Sequence, residues 1–160
     1  MAEKLFKIVL IEPEIPQNTG NIGRTCVATN CELHIVGKPS FEITDTNVKR
    51  AGLDYWPFLS LHLHDSLESW LAQVPDPSRI WLFTTKTQRT YFEPDYQAGD
   101  WFVFGKETKG LAPELLQRFP QQNVTIPMIG EGARSLNLAT SVAIAAYEGL
   151  RQKSFQKTQS

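Results

Sequence analysis

The chain has 160 residues, 41% of them hydrophobic, enough for one domain with a real core and too few for two. Its 16 Lys and Arg nearly cancel 17 Asp and Glu, so overall charge does not drive nucleic-acid binding and any polyanion site must be a local patch. No apolar run approaches the roughly 20 residues of a membrane span, and Met1-Ala2-Glu3-Lys4 before a short strand-like run does not resemble a signal peptide, so a cytoplasmic protein without membrane contact is expected.

Phe6 to Ile11, FKIVLI, is a continuous β-branched apolar run of strand length, the pattern of a strand buried on both faces of a parallel sheet. Glu12-Pro13-Glu14-Ile15-Pro16 interrupts it. Asn18 or Thr19 is then expected to cap a helix reaching about Asn30, with Ile22, Cys26 and Val27 on one stripe. Leu33 to Val36 is the next strand. A short helix is expected around Asp45 to Ala51, with the chain straightening near Tyr55-Trp56-Pro57. Asp65 followed by Glu68 reads as a capping box opening a helix over 66–73, which Val74-Pro75-Asp76-Pro77 stops. Arg79 to Phe83 and Asp100 to Phe104 are two more buried strands. Pro113 opens a helix continued by Glu114 to Phe119, Asn123 to Ile126 is the last strand, and an Ala-rich helix then runs to about Lys153. One domain over 1–160 is expected, with an ordered core of about 5–153 and a polar tail at 154–160.

Alternating strands and helices in one short domain imply an α/β fold: a mostly parallel sheet with helices on both faces. Ligands in such sheets bind beyond the carboxyl ends of the strands. Three loops there are rich in Gly, Asn and charge: 18–24, 105–110 and 130–137. The first lacks both G-x-G-x-x-G and G-x-x-x-x-G-K-Ser/Thr, so neither a dinucleotide fingerprint nor a phosphate loop is present. The second could bring backbone close to a ligand or simply turn tightly. Ser135 and Asn137 at the start of the last helix could hold a polar ligand or cap the helix. Lys86, Lys106, Lys109 and Arg134 fall near these loops, and convergent cations could bind phosphate.

Cys26 and Cys31 fit neither C-x-x-C nor a disulfide framework and read as reduced, packed thiols. His34, His62 and His64 have no carboxylate or cysteine beside them at ligand spacing, and LHLH at 61–64 reads as a solvated strand face, so no metal is expected.

The segments EPEIPQNTGNIGR at 12–24, AGLDYW at 51–56, FGKETKGL at 104–111, and IPM with RSLNLATSVAIAAYE across 126–148 together resemble the SpoU-like branch of the SPOUT methyltransferases. They are most similar to its small TrmL-like tRNA ribose 2′-O-methyltransferases, and the likeness covers nearly the whole chain. It implies a carboxyl-terminal deep trefoil knot, bent S-adenosylmethionine bound there and released as S-adenosylhomocysteine, and a homodimer. The implied substrate is the wobble pyrimidine, position 34, in the anticodon stem-loop of tRNA, leucine tRNAs among them. Another RNA such as ribosomal RNA, or a non-catalytic RNA-binding or ribosome-assembly role, remains the alternative.

Residue by residue, the resemblance puts cofactor contacts at Phe83, Thr84, Gly105, Glu107, Ile126, Met128, Ser135 and Leu136. Its catalytic set maps to Arg24, Asn18, Glu107, Ser135, Asn137 and Tyr147. Arg24 is then either the group that takes the hydroxyl proton or the one that grips the adjacent phosphate. The loop 129–133 looks about one residue longer than the family's.

Overall fold

The computed structural model describes residues 3–44, 46–51 and 54–155. Its strands are β1 (Lys7–Ile11), β2 (Glu32–Val36), β3 (Leu61–His64), β4 (Ile80–Phe83), β5 (Trp101–Phe104) and β6 (Asn123–Val124). All pair in parallel, in the order β3-β2-β1-β5-β4-β6. The helices are α1 (Pro16–Thr29), α2 (Thr46–Ala51), α3 (Leu67–Leu71), α4 (Pro113–Arg118) and α5 (Leu138–Leu150). The expected parallel α/β sheet is therefore present.

Period-two alternation decides which helix covers which face. Ile8, Leu10, Leu33, Ile35 and Phe102 turn toward Ile22 and Cys26 of α1 and toward Val142 and Ala145 of α5. Val9, Val36, Leu82 and Val103 turn the other way, toward Trp70 of α3 and Leu115 and Leu116 of α4. With both faces covered, Ile8, Val9 and Leu10 are all fully buried, which is why the strand reads as an unbroken apolar run. Helix α5 packs tightly on the sheet: a Cβ on Gly149 would sit 2.4 Å from the Phe6 ring just before β1. Cys26 and Cys31 are free and buried, and burial pushes both thiols up, as packed hydrophobes should behave.

Local expectations shift in four places. Helix α1 begins at Pro16, with Ile15 in the cap position and no side-chain cap. Asn18 and Thr19 lie inside the first turn, both buried, because Pro at the first position lacks an N–H and presets φ. In α3 the cap is Ser66 and its box partner is Ser69, whereas Glu68 reaches Arg118 at 2.7 Å. Asn137 caps α5 from outside and Ser135 lies in the preceding loop, so neither is in the helix. After Leu150 the chain continues as a π-type turn over Arg151–Phe155. Asp45, Gly52, Leu53 and 156–160, on which parts of the α2 and tail expectations fell, lie outside the described residues.

The solvated histidine face is corrected in part: His62 is exposed as expected, but His34 and His64 are buried, while Leu63, between the two β3 histidines, is 63% exposed. The reason is register: His62 pairs with His34 and His64 with Val36, so the histidines share one face of the two strands and their rings stack. Burial lowers the His34 imidazole to about 4. Among the described residues no helix is long and apolar enough to cross a membrane.

Candidate active site

Strands β5, β4 and β6 are neighbours, so the loops leaving their carboxyl ends are brought side by side. Between them is an open cleft of about 930 Å³, counting the part open to solvent. Its walls come from 83–86 after β4, 104–111 after β5, 125–128 after β6, and from Ser135, Leu136, Leu138 and Ser141 at the start of α5. Phe83, Thr84, Gly105, Glu107, Ile126, Met128, Ser135 and Leu136 all line this one cleft.

The β5 loop is folded back on itself. Gly110 donates its N–H to the Lys106 carbonyl at 2.9 Å, and Gly110 holds φ at +67°. That hairpin crosses Gly105 so closely that a Cβ there would lie 2.0 Å from the Gly110 carbonyl carbon. The Gly110 carbonyl carbon and oxygen and the Leu111 nitrogen that such a Cβ would meet are all backbone, so no side-chain rotation could relieve the clash. Gly105 is required by the neighbouring strand of its own loop.

Glu107, at the tip of that hairpin, reaches toward the start of α1. Its carboxylate accepts the backbone N–H of Glu14 at 2.8 Å, that of Ile15 at 2.9 Å, and the Asn18 side-chain amide at 3.1 Å. The Ile15 N–H, in the cap position, is one of the donors a helix start leaves without an intrahelical partner, and a carboxylate there also suits the helix dipole. Helix α1 thus lacks a cap of its own because a residue 89 positions from Asn18 supplies one. Glu14 answers in kind, accepting the Thr108 N–H and hydroxyl, each at 2.9 Å. The Thr108 backbone N–H, then its hydroxyl, hold the Glu14 carboxyl below its usual value.

The chain of donors continues. A carboxylate only accepts, so the Asn18 amide must turn its NH2 toward Glu107 and its oxygen outward. That oxygen accepts from the Asn137 amide at 3.1 Å. The Asn137 oxygen is left to accept the Thr140 N–H at 3.2 Å, capping α5. One polarity, fixed by Glu107, runs through two asparagines and joins the ends of β1 and β5 to the start of α5. Asn137 is thus both cap and cross-link, where sequence alone left the two readings as alternatives. Glu14 and Thr108 are the members sequence reasoning missed; the only local sign was a carboxylate inside Pro13-Glu14-Ile15-Pro16.

Arg24 and Tyr147 lie outside the cleft lining. The Arg24 guanidinium is exposed and lies over the Tyr55 ring, 5.4 Å from its centroid. Tyr147 is 51% exposed on α5. Arg134 is exposed in the loop before α5. Lys86, Lys106 and Lys109 do line the cleft, and give it local positive charge on a chain of net charge −1.

A parallel sheet with a cleft built from three successive carboxyl-end loops is an architecture this chain shares with SpoU-type methyltransferases. The SpoU methyltransferase AviRb of Streptomyces viridochromogenes, solved with the cofactor AdoMet, shares this fold at a TM-score of 0.79 and 23% identity, matching all of this chain and 63% of that one. The chain belongs to the SpoU rRNA methylase family, whose model matches residues 5–147. Its relatives include a tRNA (cytidine(34)-2′-O)-methyltransferase of Burkholderia pseudomallei strain 1106a, 44% identical over 95% of this chain and 98% of that one. A solved structure described as giving insight into 2-OH methylation of C/U34 on tRNA is 42% identical, with a TM-score of 0.88 over 93% of this chain and 96% of that one.

Proposed function

We propose that this chain is an enzyme that transfers a methyl group from S-adenosylmethionine to the ribose 2′-oxygen of tRNA nucleotide 34, a wobble cytidine or uridine, and releases S-adenosylhomocysteine. The observation carrying this reading is the convergence on one cleft of the loops after β4, β5 and β6, with Glu107 of the β5 loop tied through Asn18 to Asn137 at the start of α5. The relatives' near-full coverage supports extending their printed substrate to this chain.

The cleft suits that cofactor by the chemistry of its lining. Phe104, Ile126, Leu136 and Leu138 offer apolar surface to a purine, while the Thr84, Thr85 and Ser135 hydroxyls and Lys86 offer partners for ribose and amino-acid groups. Bound there, the cofactor supplies a methyl carbon already activated by a sulfonium. The protein's task is then to hold the ribose oxygen in line at roughly 3–3.5 Å. Glu107, Asn18 and Asn137 fix the three loops relative to one another, and Ser135 meets the cofactor. Arg24 offers a fork of donors to the phosphate beside the target ribose and orients the hydroxyl. A guanidinium normally stays protonated, so water or a phosphate oxygen takes the proton.

The same reading includes a trefoil knot in the carboxyl-terminal part, a homodimer, and a cytoplasmic protein with leucine tRNAs among its substrates. Likeness to SpoU structures supports the knot. Exposed Ile15 and Leu136, with Arg24 and Tyr147 outside the cleft of one chain, support a second copy completing the site; sedimentation at a monomer's mass would refute the dimer. Binding of tRNA is expected to weaken steeply with salt. The deciding experiment is nucleoside mass spectrometry of tRNA from cells lacking the protein: a 2′-O-methyl pyrimidine lost from position 34 supports the reading. Intact wobble methylation with a ribose methyl lost from ribosomal RNA would favour the second reading, which the family's own description motivates.

A further inference from the structure

At the edge of the sheet, far in sequence from the cleft loops, Glu32 and His34 lie two apart on β2, and His62 and His64 two apart on β3. Both pairs face the same side, with His34 directly opposite His62. Alternation on two adjacent strands thus builds a patch of four metal-ligating side chains from residues that sequence spacing held 28 or more apart. One oxygen of Glu32 is 2.8 Å from His34 Nε2 and 3.7 Å from His62 Nε2, and the three ligand atoms lie within 4.8 Å of one another.

We propose that Glu32, His34 and His62 form a binding site for a divalent transition-metal ion of the zinc class, with His64 positioning the His34 ring. Two imidazoles and a carboxylate are a donor set that such ions favour, and three protein ligands leave a fourth position to water. Donors about 2.0 Å from a tetrahedral ion stand about 3.3 Å apart, and the two separations from Glu32 bracket that value.

The proton pattern agrees. An ion on His34 Nε2 leaves the ring's proton on Nδ1, which is 2.9 Å from His64 Nε2. His64 accepts that proton's hydrogen bond, the outer-shell arrangement that fixes a ligating histidine's tautomer and orientation. One movement is required. The His34 and His62 rings stack at 4.4 Å with planes 11° apart, so the His62 nitrogen must swing toward the shared point. His62 is 44% exposed on the edge strand, where that rotation is free, and its present Nε2 partner is the Ser60 hydroxyl at 3.0 Å. Glu32, by contrast, is half-buried beside two imidazoles, a setting in which an ion would supply the missing positive charge. The site is independent of methyl transfer and would clamp β3 onto β2.

The test is titration of the chelator-treated full chain with Zn2+ alone, followed by calorimetry, with Co2+ as a visible-absorbing substitute. The expected result is one saturable ion per chain and Co2+ bands of a four-coordinate site. His62→Ala and Glu32→Gln should each weaken Zn2+ at least tenfold and bleach those bands, and His64→Ala should cost about 10–100-fold. His62 is exposed, so its variant keeps the fold, which circular dichroism checks. Absence of saturable binding by the wild type, or undiminished binding in the Glu32→Gln/His62→Ala double variant, would overturn the proposal.

Discussion

Asn18 is the joint between the three loops, and removing its amide should separate them. It is 6% exposed, donates to the Glu107 carboxylate and accepts from Asn137. A hydrogen bond to a charged group contributes about 1.5–3 kcal/mol and a neutral one about 0.5–1.5, so Asn18→Ala should cost about 2–4 kcal/mol. For a chain of this size that lowers Tm by about 5–15 °C. Asn18→Asp is the sharper probe, since it keeps the acceptor for Asn137 and the shape of the side chain. It replaces the donor facing Glu107 with a second carboxylate, so at pH 7.5 a bond is lost and a repulsion gained. As pH falls, the introduced carboxyl, raised by its neighbour, protonates and can donate to Glu107 again. The gap in Tm between variant and wild type should therefore narrow between pH 7.5 and 5, measured by paired thermal melts in low salt. Equal Tm values at pH 7.5, or a gap that does not close on acidification, would refute the donor chain through Asn18.

Four other outcomes follow from the same geometry. Gly105→Ala must displace the Gly110 backbone and should weaken S-adenosylmethionine binding at least tenfold by calorimetry, whereas unchanged affinity would mean the hairpin yields freely. Arg24→Lys keeps the charge and loses the fork, so kcat at saturating tRNA should fall at least tenfold, and retention of most turnover would remove Arg24 from both its proposed roles. Ser135→Ala should weaken the cofactor without changing Tm by more than about 1 °C, since Asn137 rather than Ser135 caps α5; a matching loss of Tm would make Ser135 structural. The Glu148 carboxyl is held below its usual value chiefly by Arg151, bonded at 2.9 and 3.0 Å. Its stabilisation is complete above the unfolded carboxyl value and is lost as pH falls through the lower folded one, so Glu148→Gln should flatten the acid limb of the stability curve, and an unaltered limb would contradict it.

How much of this was legible beforehand depended on the range of the interaction. Unbroken runs such as FKIVLI and DWFVF identified buried parallel strands, because a strand covered on both faces needs apolar residues at every position. The ligand end of the sheet was readable too, since Gly, Asn and charge collect where loops must bend and bond without regular partners. The cleft-lining residues were placed by resemblance to a family whose motifs carry those loops, and the structure gathers all eight into one cleft. Capping was misread at α1 because the true acceptor, Glu107, lies 92 residues from Ile15, and a local rule looks only a few residues ahead. The polar face of β3 was read only in part, with His62 exposed but His64 buried, because alternation shows that two faces differ but not which one a helix will cover.

Sequence alone therefore determined the secondary elements, the parallel α/β class and the loops that matter. Tertiary structure alone decided the direction of the donor chain from Glu107 through Asn18 to Asn137 and the meeting of Glu32 with His34 and His62. The physical reason is that hydrophobic patterning is written in neighbours along the chain, whereas a hydrogen bond across 119 residues or a shared face of two strands exists only once sheet order and register bring the partners within about 3 Å.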